Sequence, residues 1–184
     1  MIAYAITDPS TLDFNTLEDD LKHFSSKATM IVYRDKQNSD YEKNATLFVE
    51  QAKGFEKVLI HTDYSLAAKL HADGVHLKST QSADIKKAKS LGLLVVVSTH
   101  TLNEAKSAEL LGADMITFSP VFTSPNKGKA VGIAKLKNII SSVSIPVLAL
   151  GGIITQEQIV SCAEVGAKGF ASIRYFERKL LNSL

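Results

Sequence analysis

Cationic and imidazole side chains recur directly after short runs of β-branched residues along this chain. Arg34 and Lys36 follow one such run, and three histidines end or follow others: His61, His76 and His100. A guanidinium and an ammonium two residues apart can lean to one side of a strand end and together neutralise a polyanion such as pyrophosphate. The histidines could donate to an oxyanion or move a proton; alternatively, the three could bind a transition metal.

Glycines and small polar residues follow the last two of these runs. Gly151 and Gly152 come after the seventh, and Ser172, Ile173 and Arg174 close the eighth. Glycines let backbone N–H groups approach an anion closely, and a following helix N-terminus adds partial positive charge. We therefore predict a phosphate site at these five residues. A tight turn is the simpler interpretation of the Gly-Gly pair.

Residues 119–132 form the longest irregular stretch and carry several polar side chains among Gly and Pro. Ser124, Asn126 and Lys127 are the candidate lid residues, because such a loop could fold a cation over a bound anion. A solvated loop explains the composition equally well. The same alternative holds for Arg34 and Lys36, with Asp35 as a local counter-ion.

Eight strand-like runs must position these residues, and amphipathic stretches separate the runs. We predict strands over residues 2–6, 30–33, 58–61, 74–77, 93–98, 115–118, 147–150 and 169–173. Clear helical spacing of apolar residues covers 66–70, 85–91 and 105–111. Thr155, with Glu157 in the first turn, is a candidate helix N-cap, and a brief last helix is expected from about Tyr175.

The runs show no alternation of apolar and polar residues, which is typical of parallel strands buried on both faces. Eight βα units predict an α/β fold, a compact TIM (β/α)8 barrel, as a single domain over residues 1–184. An open doubly wound sheet is the alternative, but no G-x-G-x-x-G follows the first strand. In a TIM barrel the strand C-terminal ends form the active site, so the candidate residues should meet there.

Composition narrows the function classes. The chain has 184 residues, 45 % of them hydrophobic, and a net charge of +2 with no basic block, which argues against nucleic acid or a membrane as partner. No signal peptide is predicted from residues 1–7. Cys162 is the sole cysteine, so no internal disulfide can form and a cytoplasmic location is expected. We interpret Cys162 as a structural thiol in a helix over residues 158–166.

Seven motifs together resemble a known family. They are Ile6-Thr7-Asp8, Arg34-Asp35-Lys36, Ala72-Asp73-Gly74-Val75-His76-Leu77, Val97-Ser98-Thr99-His100, Gly112-Ala113-Asp114, Ser119-Pro120-Val121-Phe122 with Lys127, and Ala149-Leu150-Gly151-Gly152-Ile153. In this order, over nearly the whole chain, the set is similar to thiamine phosphate synthase and its TenI-like relatives.

The resemblance implies a reaction and an assignment of roles. Thiamine phosphate synthases join a hydroxymethylpyrimidine pyrophosphate to a thiazole phosphate and displace pyrophosphate with the help of Mg²⁺. By resemblance, pyrophosphate would be held by Arg34, Lys36 and Lys127, and Ser98 would lie near the pyrimidine. The backbone at the predicted phosphate site would hold the thiazole phosphate. Family members commonly self-associate, so a homo-oligomer is possible.

The chain also departs from the family pattern. Val32 stands where synthases usually have Gln, and His61-Thr62 stands where they have Asn-Asp. Lys78-Ser79-Thr80-Gln81 replaces Gly-Gln-Glu-Asp. The two aspartates that bind Mg²⁺ in the family therefore correspond to Thr62 and Gln81, so this cofactor is possible but its usual ligands are replaced; Asp63 is the adjacent carboxylate.

The TenI-like tautomerases use a histidine just after strand six, and the residue here is Pro120. His61, His76 or His100 could instead serve as the acid–base group. The resemblance implies a synthase, and the departures leave open a tautomerase-like enzyme or a non-catalytic binder of a phosphorylated thiamine precursor or of thiamine phosphate. A barrel enzyme with another phosphorylated substrate is a further alternative.

Overall fold

A computed structural model describes residues 1–124 and 128–177 of the chain, and strands and helices alternate throughout these ranges. The strands are β1 (Ile2–Ile6), β2 (Met30–Tyr33), β3 (Lys57–His61), β4 (Gly74–Leu77), β5 (Leu94–Thr99), β6 (Met115–Phe118), β7 (Val147–Leu150) and β8 (Gly169–Ser172). The helices are α1 (Leu17–Ser25), α2 (Tyr41–Gln51), α3 (Tyr64–Lys69), α4 (Ser82–Ser90), α5 (Leu102–Leu110), α6 (Gly132–Ile140) and α7 (Gln156–Glu164).

The eight strands are parallel and pair in chain order, and β8 closes on β1 through Ile2↔Gly169 to Ala5↔Ser172. This closed barrel confirms the predicted TIM fold and excludes the open doubly wound sheet. Four strand boundaries, in three strands, were predicted incorrectly by one residue. β3 begins at Lys57, β5 is displaced to Leu94–Thr99, and β8 ends at Ser172, because the Ser172 hydroxyl accepts from Tyr175 N and turns the chain at Ile173.

The barrel wall separates two apolar layers. The outer layer packs the helices against side chains such as Ile31, Ile60 and Val95. The inner layer fills the barrel with side chains from alternate positions: Tyr4, Ile6, Met30, Val32, Leu59, Val96, Met115, Leu148 and Ala171. Burial on both faces explains why the strand sequences show no alternation of apolar and polar residues.

Helix starts follow the local sequence. Thr155 is the N-cap of α7, as predicted, and its partner in a reciprocal capping box is Gln158. Cys162 is fully buried in α7, and burial raises the pKa of its thiol to about 11, which suits a structural role. The helix expected from about Tyr175 lies mostly outside the described residues, of which 174–176 form a turn and a bend.

At the N-terminal end of the barrel, carboxylates accept hydrogen bonds from the backbone at the strand starts. Asp73 accepts from the backbone N–H of Val58 at 2.8 Å, and Asp114 accepts from that of Val95 at 2.7 Å. This explains why small residues and Asp recur just before β4 and β6.

No helix within residues 1–124 and 128–177 has the length and apolar character needed to cross a membrane.

Candidate functional site

A chain of hydrogen bonds crosses the interior of the barrel near the strand C-terminal ends. The Tyr4 hydroxyl lies 3.1 Å from Nδ1 of His76, and Nε2 of His76 lies 2.9 Å from the Ser98 hydroxyl. The Tyr4 and His76 rings stack with centroids 5.6 Å apart. The sequence pointed to His76 and Ser98 but missed Tyr4. The available signal was its even position in β1, which it shares with the inward-facing Ile6.

Hydrogen-bond accounting determines which way the protons point along this chain. Tyr4 is fully buried, and burial raises the pKa of its phenol well above 10.0, so the hydroxyl keeps its proton and donates it to Nδ1 of His76. The neutral imidazole therefore carries its proton on Nε2 and donates to Ser98 Oγ. The Ser98 hydroxyl proton remains available to an acceptor above it, where a ligand would enter.

Burial keeps His76 uncharged. The side chain is 3 % exposed, and this burial, followed by the charge of Arg34, lowers its pKa to about 4. A protonated imidazole would have to donate from Nδ1 towards the Tyr4 hydroxyl, which would leave the phenolic proton without this acceptor. His76 thus acts at neutral pH as a neutral relay between a buried phenol and a hydroxyl at the barrel mouth.

His61 stands next to His76 on the neighbouring strand, with ring centroids 6.0 Å apart. Its pKa is lowered to about 3, first by burial, then by the neighbouring His76 and by the charges of Arg34, Lys78 and Lys36. Three of these neighbours are permanent cations, so positive charge converges on one part of the barrel mouth. A substrate anion would find favourable electrostatics there, and a neutral His61 could accept a proton.

Arg34 is positioned by β1. The Thr7 hydroxyl donates to Val32 O at 3.0 Å and accepts from Arg34 N at 3.1 Å, so it joins the ends of β1 and β2. The guanidinium lies 3.9 Å from Asp8, and its side chain is about a fifth exposed (21 %). Lys36 is fully at the surface. Of the predicted pyrophosphate ligands, Arg34 is therefore the preorganised one, and Lys36 is the more exposed of the two.

A cavity of about 380 Å³ lies beside Arg34 and is lined by residues of the loop that follows β1. Its lining includes three carboxylates, those of Asp8, Asp13 and Asp35, and the guanidinium of Arg34. Excess negative charge makes this cavity unsuitable for a polyanion. The cations that act on His61 are the better candidates for an anion site.

The Gly151–Gly152 turn is required by close packing. Both residues have positive φ, +96° and +71°, and a Cβ at Gly152 would lie 2.4 Å from the Thr123 carbonyl oxygen. A Cβ at Gly151 would lie 2.7 Å from Pro120 Cα. The tight-turn interpretation is therefore correct. The phosphate role remains a prediction, which the turn's place beside the end of β8 allows.

The predicted phosphate residues after β8 divide into two kinds. The Ser172 hydroxyl is buried and donates to Ile153 O at 2.7 Å, so it braces the turn. Its predicted phosphate role stays a prediction, with the hydroxyl proton engaged at Ile153 O. Ile173 is half-buried and Arg174 is exposed, which leaves the Arg174 guanidinium able to reach a ligand at the barrel mouth.

His100 stands apart from the other two histidines of the barrel mouth. It is exposed, and its Nδ1 lies 3.0 Å from Ser119 O at the end of β6. Within residues 1–124 and 128–177, no group of three His, Cys, Asp or Glu side chains could hold a metal ion. The three-histidine metal site was thus a wrong alternative, because His100 turns towards β6 while His61 and His76 adjoin.

The two ends of the candidate lid are anchored to the barrel. Val121 N donates to Leu150 O, and Gly132 N donates to Val121 O, at 2.9 and 3.0 Å. The lid role of the segment between these two hydrogen bonds stays a prediction. Ser124 is half-buried there. Asn126 and Lys127 lie outside the described residues, so their predicted roles stay predictions.

The residues at the Mg²⁺ positions of the family do not fit a magnesium ion. Gln81 donates through Nε2 to Thr62 O at 3.0 Å, and the Thr62 hydroxyl donates to His61 O at 2.7 Å. Asp63 is the N-cap of α3 and accepts from Leu66 N at 2.8 Å. Mg²⁺ prefers carboxylate oxygens, and here two neutral side chains and an engaged carboxylate replace them.

Comparisons with known proteins identify the family of this barrel. Residues 3–176 match the family described as thiamine monophosphate synthase. A protein of Aquifex aeolicus named "Putative thiamine-phosphate synthase 2" is 36 % identical over 181 residues, covering 94 % of this chain and 96 % of that protein. A thiamine-phosphate synthase of Clostridium acetobutylicum is 30 % identical over 181 residues, covering 92 % and 84 %.

Among solved structures, a thiamine phosphate pyrophosphorylase from Pyrococcus furiosus superposes with a TM-score of 0.79 and 26 % identity, covering 94 % of this chain and 85 % of that one. The sequence motifs, the closed barrel and the matches over nearly the whole length agree. This chain belongs to the thiamine monophosphate synthase family.

Proposed function

We propose that this protein is an enzyme that couples hydroxymethylpyrimidine pyrophosphate to thiazole phosphate and forms thiamine phosphate. In this reaction the C–O bond to the pyrophosphate breaks, and a C–N bond to the thiazole nitrogen forms at the same methylene carbon. The departing pyrophosphate gains negative charge as the bond breaks. Cations that bind it more strongly than the substrate ester accelerate the step.

One observation carries the proposal, namely the convergence of cationic side chains on the mouth of a barrel of this family. Arg34, Lys36 and Lys78 all act on His61, and family membership supplies the substrate class. This positive charge favours an anionic substrate at the barrel mouth.

We assign the roles as follows. Arg34 and Lys36 bind the pyrophosphate, with Lys127 as a further proposed ligand from the loop after β6. The Ser98 hydroxyl, oriented by His76, donates to the pyrimidine or to the leaving group. The turn at 151–152 and the backbone at 173–174 bind the thiazole phosphate, and the exposed Arg174 adds a charge-assisted contact.

A coupling assay tests the function directly. The purified protein is incubated with the two substrates, with and without Mg²⁺, and thiamine phosphate is quantified by chromatography. We expect product, and we expect Ser98→Ala to lower kcat while Ser161→Ala, on the outer helix α7, leaves it unchanged. Substrates that remain intact after hours at high protein concentration would contradict the proposal.

The replaced magnesium positions favour one second candidate, a non-catalytic binder of a phosphorylated thiamine precursor. Thr62 and Gln81 are consistent with binding without turnover. A tautomerase-like enzyme receives less support, because Pro120 stands at its histidine position and His100 is held against Ser119. Calorimetry with thiazole phosphate, combined with the coupling assay, separates a binder from an enzyme, since a binder takes up ligand and forms no product.

Some predictions from the sequence are kept as proposals. We propose that residues 1–184 form one barrel domain, that the protein works in the cytoplasm, where the single Cys162 stays reduced, and that it self-associates. Gel filtration with light scattering tests the last of these.

A further inference from the structure

Lys78 occupies the barrel mouth directly after β4. His76, two residues earlier, points into the barrel, and side chains alternate along a strand, so Lys78 lies on the same side one step nearer to solvent. The β3–β4 register pairs His61 with His76, which brings Lys78 beside the loop after β3. Its side chain is exposed, and its charge acts on His61 together with those of Arg34 and Lys36. Lys78 therefore faces the same space as the two predicted pyrophosphate ligands.

Gln81 fixes the loop that carries Lys78. Its Oε1 accepts from Lys78 N at 3.2 Å, while its Nε2 donates to Thr62 O at 3.0 Å and to Asp84 at 3.2 Å. A neutral side chain thus ties the loop after β4 to the loop after β3, at the two positions where the family places metal-binding carboxylates. The Gln81 amide thus connects the two loops through hydrogen bonds, and it adds no negative charge.

Two carboxylates belong to the loops beside Lys78, and neither forms an ion pair with Lys78 within residues 1–124 and 128–177. Asp63 is engaged as the N-cap of α3, and Asp84 accepts from Gln81 and from Lys87 Nζ at 3.2 Å. In the family pattern, two aspartates and a divalent cation cancel in charge. Here two neutral residues stand at these two positions, and Lys78 adds a positive charge beside them. A pyrophosphate would meet a cation there without any metal ion.

We propose that Lys78 binds the pyrophosphate group directly, in the place of the family's metal ion, so that this protein binds its anionic substrate without a divalent cation. The proposal rests on the proposed function for the identity of the anion. Gln81 is a positioning residue in this arrangement, because it holds the backbone of Lys78 and touches no substrate.

Calorimetric titration with inorganic pyrophosphate, in EDTA and again in Mg²⁺, tests the proposal. We expect the wild-type protein to bind in EDTA, and Lys78→Gln to raise the Kd at least tenfold. Lys78→Arg should restore most of the affinity. Lys137→Gln, in the last turn of α6 on the outside of the barrel, is the matched control and should bind like the wild type. Equal affinity of Lys78→Gln and wild type, or binding that requires Mg²⁺, would overturn the proposal.

A gain-of-function variant gives an independent measurement. In Thr62→Asp/Gln81→Asp, the two carboxylates should weaken pyrophosphate binding in EDTA, and Mg²⁺ should restore it. Circular dichroism checks that the variant is folded. A folded variant that ignores Mg²⁺ would contradict the placement of Lys78 at the metal position. Failure here leaves the coupling assay unaffected, and a protein that binds pyrophosphate through Lys78 but forms no product would refute the proposed function instead.

Discussion

The buried neutral imidazole of His76 makes the stability of this protein sensitive to mild acid. In the unfolded chain a histidine has its ordinary pKa of 6.5, whereas burial in the barrel lowers the pKa of His76 to about 4. Between these values the unfolded chain binds more protons than the folded protein. The contribution of neutral His76 to the free energy of unfolding is therefore fully present above pH 6.5, and it is lost as the pH falls towards 4.

The two pKa values set the size of the effect. From pH 7 to pH 5, His76 should cost about 2 kcal/mol of unfolding free energy, since a full pH unit of unequal protonation is worth about 1.4 kcal/mol. His61 titrates in the same direction, because its pKa is lowered to about 3. Replacing His76 should thus remove part of the acid sensitivity and leave the share of His61.

Urea unfolding at pH 7, 6 and 5, followed by circular dichroism at constant ionic strength, measures this dependence. His76→Gln should be less stable than the wild type at pH 7, but should lose about 2 kcal/mol less between pH 7 and 5. Ser161→Ala, on the outer helix α7, replaces a residue that does not titrate and should leave the pH dependence unchanged. If His76→Gln loses as much stability as the wild type over this range, the reasoning about the buried neutral imidazole is refuted.

Two further predictions concern the backbone at the barrel mouth. Thr62 has a φ of +66°, which a β-branched residue tolerates poorly, so Thr62→Asn should raise the unfolding free energy by about 1 kcal/mol in thermal unfolding. Thr62→Val keeps the strain and should show no gain; an equal gain would disprove the strain. Gly152→Ala should lower the free energy of unfolding by about 1–3 kcal/mol, because the new Cβ would meet Thr123 O. The Cβ in Gly128→Ala would meet no atom of the described residues within 4 Å, so this variant should melt like the wild type.

The sequence by itself determined the order of strands and helices, the barrel and its chemical end. Each strand is a short β-branched run, and the polar residues that follow the runs, Arg34 and His61 among them, do lie at the barrel mouth. These features are local, because hydrophobic periodicity and position within a βα unit decide them. The motif set also identified the family, because it extends over nearly the whole chain.

Only the tertiary structure decided which of these side chains meet. Tyr4 and His76 are 72 positions apart and come together inside the barrel. His100 contacts Ser119 instead of joining the other histidines, and the Ser172 hydroxyl donates to Ile153 O. Strand alternation says which face a side chain takes, but the partner across a barrel depends on closure and on the stagger between strands. These are properties of all eight strands together, and no single segment of the sequence contains them.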